Sequence, residues 1–113
     1  MFKTSDIAAA CGVDRATVRS WLSRSPGFQV GTLENGARQF DRVEALALVI
    51  TGETLSRQLG TPSEVLPIAA LIAGGSPGRT VWLYRKDGKL TFSEWQPDVP
   101  AVAMPLSALD ARL

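Results

Sequence analysis

Within its first 23 residues the chain carries two short helical patterns separated by Gly12-Val13-Asp14, and this early break constrains the fold more than any other feature. Thr4 is a good N-cap for a helix reaching about Cys11, with Ile7, Ala8 and Cys11 on one side. Gly12 ends it, because a glycine there takes positive φ without penalty. Val13 is the apolar residue inside the turn. Asp14 caps a second helix from Arg15 to about Ser23, on which Val18, Trp21 and Leu22 face inward. Ser25, Pro26 and Gly27 break it.

The next signals are β-like. Phe28-Gln29-Val30 and Arg38-Gln39-Phe40 read as short strands, with Gly31 to Ala37, containing Asn35-Gly36, as the turn. Asp41 with Glu44 three residues on predicts a capping box for a third helix. Val43, Leu46, Ala47 and Ile50 keep helical spacing, and the pattern continues through Gly52 to Leu55 and Leu59. Thr61-Pro62-Ser63-Glu64 opens a fourth helix, in which Pro67 predicts a kink or a restart.

After the linker Gly74-Gly75-Ser76-Pro77-Gly78 the period changes from helical to alternating. Thr80 to Arg85 and Lys89 to Trp95 flank Asp87-Gly88, a two-residue hairpin signal that sets Leu83 across from Phe92, with Val81 and Leu90 on their face. A third strand is expected around Val102 to Met104. Leu106, Leu109 and Leu113 suit a last short helix. So small a sheet is marginal alone and must pack on the helices or pair with a second chain, and a homodimer through this tail is the expectation. Trp82, Tyr84 and Trp95 are read first as a sheet face covering the core or a dimer seam, and second as a stacking platform or effector pocket. The expected class is α+β, with about four helices and a two-stranded hairpin over residues 1–73, a linker over 74–79, and a β-hairpin tail over 80–113.

Composition narrows the chemistry. With one cysteine and no histidine, a thiolate or His/Cys zinc site and histidine acid–base catalysis are excluded within one chain. The carboxylates are scattered over caps and turns beside no nucleophile, so no enzyme and no cofactor are expected. No apolar run approaches the ~20 residues of a membrane span, and a cytoplasmic location is the plain reading. The 12 basic and 11 acidic residues nearly cancel, but residues 1–40 hold five basic against three acidic side chains, whereas 41–78 hold two against four. The small positive excess falls on the paired helices.

Two short helices joined by a tight glycine turn form the helix-turn-helix pattern. Its second helix offers Arg15, Thr17, Arg19 and Ser20 to phosphates and base edges. The runs Thr4-Ser5-Asp6-Ile7-Ala8, Cys11-Gly12-Val13-Asp14 and Thr17-Val18-Arg19-Ser20-Trp21-Leu22 precede Gly36-Ala37-Arg38-Gln39-Phe40 and Asp41-Arg42-Val43-Glu44-Ala45-Leu46. Together, over roughly residues 3 to 66, they resemble the N-terminal domain of the MerR family. They are also similar to the winged domains of phage excisionases and small terminase subunits. The resemblance implies a winged helix-turn-helix. It further implies DNA contacts from Arg19, a phosphate-side aromatic at Trp21, and a wing arginine at Arg38 held by the packing of Phe40. Ser20 and Ala37 stand where that family has aromatic residues, and a strand-rich tail replaces its long dimerisation helix.

The candidate DNA-binding set is therefore Thr4, Arg15, Thr17, Arg19, Ser20, Trp21, Arg38 and Phe40. Simpler readings stand beside it: Trp21 and Phe40 as packing residues, Arg38 paired with Asp41 or Glu34, and Cys11 as a small buried apolar residue. The expected function is a transcriptional regulator binding double-stranded DNA as a homodimer. The alternatives are a phage-type architectural or packaging factor, and an adaptor that grips a protein such as RNA polymerase.

Overall fold

The computed structural model describes residues 1–25, 30–75 and 79–113. Its first strand, β1 (Phe2–Lys3), runs directly into α1 (Thr4–Cys11). Lys3, not Thr4, is the N-cap, in extended conformation at φ −99° and ψ 164°. Its N–H donates to Asp6 Oδ2 at 2.8 Å. Strand pairing holds Lys3 extended, so Thr4 becomes the first helical residue. Gly12 adopts the left-handed conformation expected of it, with φ 69°. Asp14 then caps α2 (Arg15–Ser23), its Oδ1 accepting from the Thr17 N–H at 2.8 Å and the Thr17 hydroxyl at 2.7 Å.

Strands β2 (Thr32–Glu34) and β3 (Ala37–Phe40) enclose a two-residue turn at Asn35 and Gly36, with φ of 53° and 78°. Such a turn leaves no choice of register, and Leu33 stands opposite Arg38. The strand that pairs with β3 across this turn is thus Thr32–Glu34, inside the segment expected to be the turn. Phe28 and Gln29 lie outside the described residues, and Val30 is a buried residue preceding β2. β1 pairs on the far side of β3, with Phe2 opposite Phe40, giving the order β1-β3-β2.

The Asp41–Glu44 capping box opens α3 (Arg42–Ser56), which ends before Leu59. Gly52 lies mid-helix where α1 and α2 come close: a Cβ there would sit 2.9 Å from Cys11 Sγ and 3.0 Å from Trp21 Cη2. Helix α4 (Pro62–Ala73) runs through Pro67 as one element. Its Glu64 carboxylate binds Arg85 at 2.7 and 2.9 Å.

The tail forms β4 (Thr80–Lys86), β5 (Lys89–Ser93), β6 (Val102–Pro105) and the short α5 (Leu106–Asp110), with the sheet in the order β5-β4-β6. Leu83 stands opposite Phe92 as the hairpin signal required, and Val81 opposite Met104. Val81, Leu83, Leu90 and Met104, with Leu106 and Leu109 of α5, share one buried cluster with Leu46 and Ile50 of α3 and Val65 and Ile72 of α4. The small sheet thus finds its cover on this chain's own helices. Strand alternation puts Trp82 and Tyr84 on the opposite, half-buried side, so of the two expected roles they do not cover the core, and Trp95 is 80% exposed.

A second cluster joins Ile7, Val18, Trp21, Val30 and Phe40 to Leu48 of α3 and Leu66 of α4. Cys11, Leu55 and Leu113 touch both clusters, so the two cores are contiguous. The result is an α+β fold of five helices and two small antiparallel sheets among the described residues. No described helix is long and apolar enough to cross a membrane, and no described cluster of His, Cys, Asp or Glu could hold a metal ion.

Candidate nucleic-acid interface

An open groove of about 600 Å³ lies between the start of α1, one side of α2 and the β2–β3 hairpin. Arg15 and Arg19, one helical turn apart, form its α2 wall. Lys3, Thr4 and Ser5 line the α1 end, and Leu33, Ala37 and Arg38 line the hairpin side. The sequence therefore folds four cations from three elements onto one concavity.

The hairpin is held firmly at its base. Arg38 Nη1 donates to the Val30 carbonyl at 2.8 Å, and the Gly31 N–H donates to Glu44 Oε2 at 2.6 Å. Gly31 has φ 85°, and a Cβ there would meet the Phe40 ring at 2.7 Å, so the backbone crosses directly over that ring. Neither Asp41 nor Glu34 forms an ion pair with Arg38 among the described residues, and its guanidinium is anchored to a neutral carbonyl.

Five arginines are held in ion pairs, whereas Arg24, Lys86 and Lys89, also outside the groove, have none among the described residues. Arg42 pairs with Asp110 at 2.9 Å, Arg57 and Arg112 with Glu53 at 3.4 and 3.2 Å, Arg85 with Glu64, and Arg79 with Glu94. All five lie outside the groove. Lys3, Arg15, Arg19 and Arg38 form no such pair among the described residues, and no carboxylate lines their groove. Asp6, Asp14 and Asp41 accept from backbone N–H groups at helix starts, whereas Glu34, opposite Ala37 in the hairpin, is exposed and forms no ion pair among the described residues. The hydrogen bonds from Thr17 hold the Asp14 carboxyl below its ordinary value, which keeps it ionised. A concavity with unpaired cations and no counter-charge attracts anions.

The expected site set divides. Thr4, Arg15, Arg19 and Arg38 come together in the groove. Thr17 and Ser20 lie on the other side of α2, in a more open cleft shared with Asp14, Arg24 and Thr61. The Thr17 hydroxyl is already committed to Asp14. Trp21 is only 7% exposed and packs against the core, and Phe40 is wholly buried. As contact residues both are corrected: their rings support α2 and the hairpin from beneath. Sequence reasoning missed Lys3, Ser5 and Leu33 in the groove. Leu33 was recoverable by counting back from Asn35-Gly36, whereas Lys3 is placed there by a strand of two residues that leaves no periodic signal.

Burial raises the Cys11 thiol to about 11, and its Sγ approaches the Leu48 carbonyl at 3.8 Å, so it is a packing residue. Comparisons of this chain with family models, with curated proteins and with solved structures gave no match.

Proposed function

We propose that this protein is a DNA-binding regulator of winged helix-turn-helix type, in which α1 and α2 form the helical pair and the β2–β3 hairpin is the wing. α2 enters the major groove of a duplex, while the wing follows the adjacent backbone or minor groove. The observation that carries this reading is the set of four unpaired cations in a groove without carboxylates, in a chain whose other arginines are mostly neutralised. Cationic side chains of this kind displace condensed counterions from DNA, and the helix face presents arginine to base edges.

The MerR-like order of elements supports the same reading. A symmetric dimer would read two half-sites one helical turn apart, and the outward aromatic side of the tail sheet is the surface proposed for it. Repression by occlusion is the least demanding regulatory outcome.

Fluorescence anisotropy with a labelled mixed-sequence duplex tests the proposal. The wild-type chain is expected to bind, and Arg15→Ala with Arg19→Ala to weaken binding at least about tenfold without lowering the melting temperature, since both arginines are exposed. Equal affinity in the double variant overturns it. A second reading, a protein adaptor, is favoured by the exposed Trp95. In that case a Trp95→Ala variant loses its partner while the double arginine variant keeps it.

A further inference from the structure

Leu33 is 67% exposed, so it adds nothing to the hydrophobic core. It is placed with unusual definition all the same. The two-residue turn sets it directly opposite Arg38, and directly opposed residues of an antiparallel pair project from the same face. Both line the groove, as do Ala37 beside them and the half-buried Leu22 of α2. The groove is thus cationic along Lys3, Arg15, Arg19 and Arg38 and apolar at Leu33 and Leu22.

A nucleic-acid strand offers the same two chemistries in alternation. Its phosphates are anionic, and between them each sugar presents a carbon edge. In deoxyribose that edge is apolar at C2′, whereas in ribose it carries a hydroxyl that needs a hydrogen-bond partner. Pressing that hydroxyl against a leucine removes its water and returns nothing.

On the reading that the groove binds nucleic acid, we infer that Leu33 is a specificity-determining residue that packs on the C2′ edge of a sugar and selects deoxyribose over ribose. Arg38 and the arginines of α2 hold the flanking phosphates, and Leu33 reports what lies between them. The ligand class is B-form DNA; the A-form groove of an RNA duplex already disfavours entry of α2, and Leu33 adds a penalty at each ribose it meets, read from how the DNA-to-RNA ratio changes in the Leu33 variants.

The experiment measures binding of one mixed-sequence duplex of about two helical turns, made as DNA, as an RNA–DNA hybrid and as RNA. Wild type, Leu33→Met, Leu33→Ala and Leu33→Ser are compared, with thermal melts to show equal folding. Wild type is expected to prefer DNA over RNA by about tenfold or more. Leu33→Met retains that ratio, Leu33→Ala reduces it severalfold, and Leu33→Ser reduces it furthest by giving the 2′-hydroxyl a partner. If the ratio is unchanged in the Ala and Ser variants while Arg15 and Arg19 still control affinity, the sugar reading is overturned and DNA binding stands. Equal wild-type affinity for all three duplexes also overturns it. Failure of wild type to bind any of them removes both proposals.

Discussion

Glu44 accepts a hydrogen bond from the Gly31 N–H at 2.6 Å through one carboxylate oxygen, while the other accepts from the Asp41 N–H at 2.9 Å. A single side chain therefore closes the first turn of α3 and fastens the hairpin to it. Glu44→Ala is expected to cost about 1–2 kcal/mol, from a lost cap and a partly buried amide left without its partner. Urea unfolding measures this, and a shift in midpoint worth only a few tenths of a kcal/mol would show the link to be idle.

Gly52 reverses the usual rule for glycine in a helix. Alanine at an unconstrained helical site gains up to about 1 kcal/mol. Here the added methyl would lie 2.9 Å from Cys11 Sγ and 3.0 Å from Trp21, both held in packed surroundings. Overpacking of that kind costs about 1–3 kcal/mol, so Gly52→Ala is expected to destabilise. A higher melting temperature for the variant would contradict the close approach of α1 and α2 to α3.

Duplex affinity should fall steeply with salt. Each phosphate neutralised contributes about −0.9 to the slope of log K against log salt concentration. Arg19→Ala is expected to make the slope shallower by about one unit per protomer, measured by anisotropy over a range of potassium chloride concentrations. An unaltered slope would take Arg19 off the phosphates.

Acid should weaken the packing of the tail on α4. The Arg85 guanidinium, bonded to both oxygens of Glu64, holds that carboxyl below its ordinary value. A carboxyl depressed in the folded state adds stability above its unfolded value of about 4.3, and the addition disappears as pH falls through the folded value. Stability measured by urea titration between about pH 6 and about pH 3 should therefore decline on the acid side, and Glu64→Gln should flatten part of that decline. The same slope in both proteins would leave the pair without a role.

Cys11 should resist alkylation. Its thiol, raised from 9.0 to about 11 by burial, carries roughly a hundredfold less thiolate near neutral pH than the unfolded chain does. Iodoacetamide labelling of native and urea-unfolded protein, followed by mass spectrometry, compares the two rates. Similar rates would mean that α1 opens readily from α3.

The elements legible in the sequence were those with local chemistry that admits one answer. Asp87-Gly88 placed Leu83 against Phe92 because a two-residue turn with positive φ leaves no other register. The pair Asp41 and Glu44 marked the start of α3 for a similar reason. Asn35-Gly36 carried the same information, and the hairpin closes on Thr32–Glu34, within the segment Gly31 to Ala37 that reads as turn. β1 had no periodicity to read, being only Phe2–Lys3.

Of the two roles read for the tail aromatics, alternation removes the one that would cover the core. Once Val81 and Leu83 face the helices, Trp82 and Tyr84 cannot. In the candidate site, charge was easier to read than exposure. The arginines were found, but α2 turns Thr17 and Ser20 away from them, and a 3.6-residue period spread over nine residues does not say which flank will meet the hairpin.

The shared core of the tail sheet with α3 and α4 means the chain has no detachable half. Cutting within the glycine-rich stretch after Ala73 would strip Leu46, Ile50 and Ile72 of their covering strands and open the scaffold on which α1 and α2 rest. Lesions far from the groove, such as a truncated Leu83 or Met104, should consequently disturb it as surely as losing its arginines.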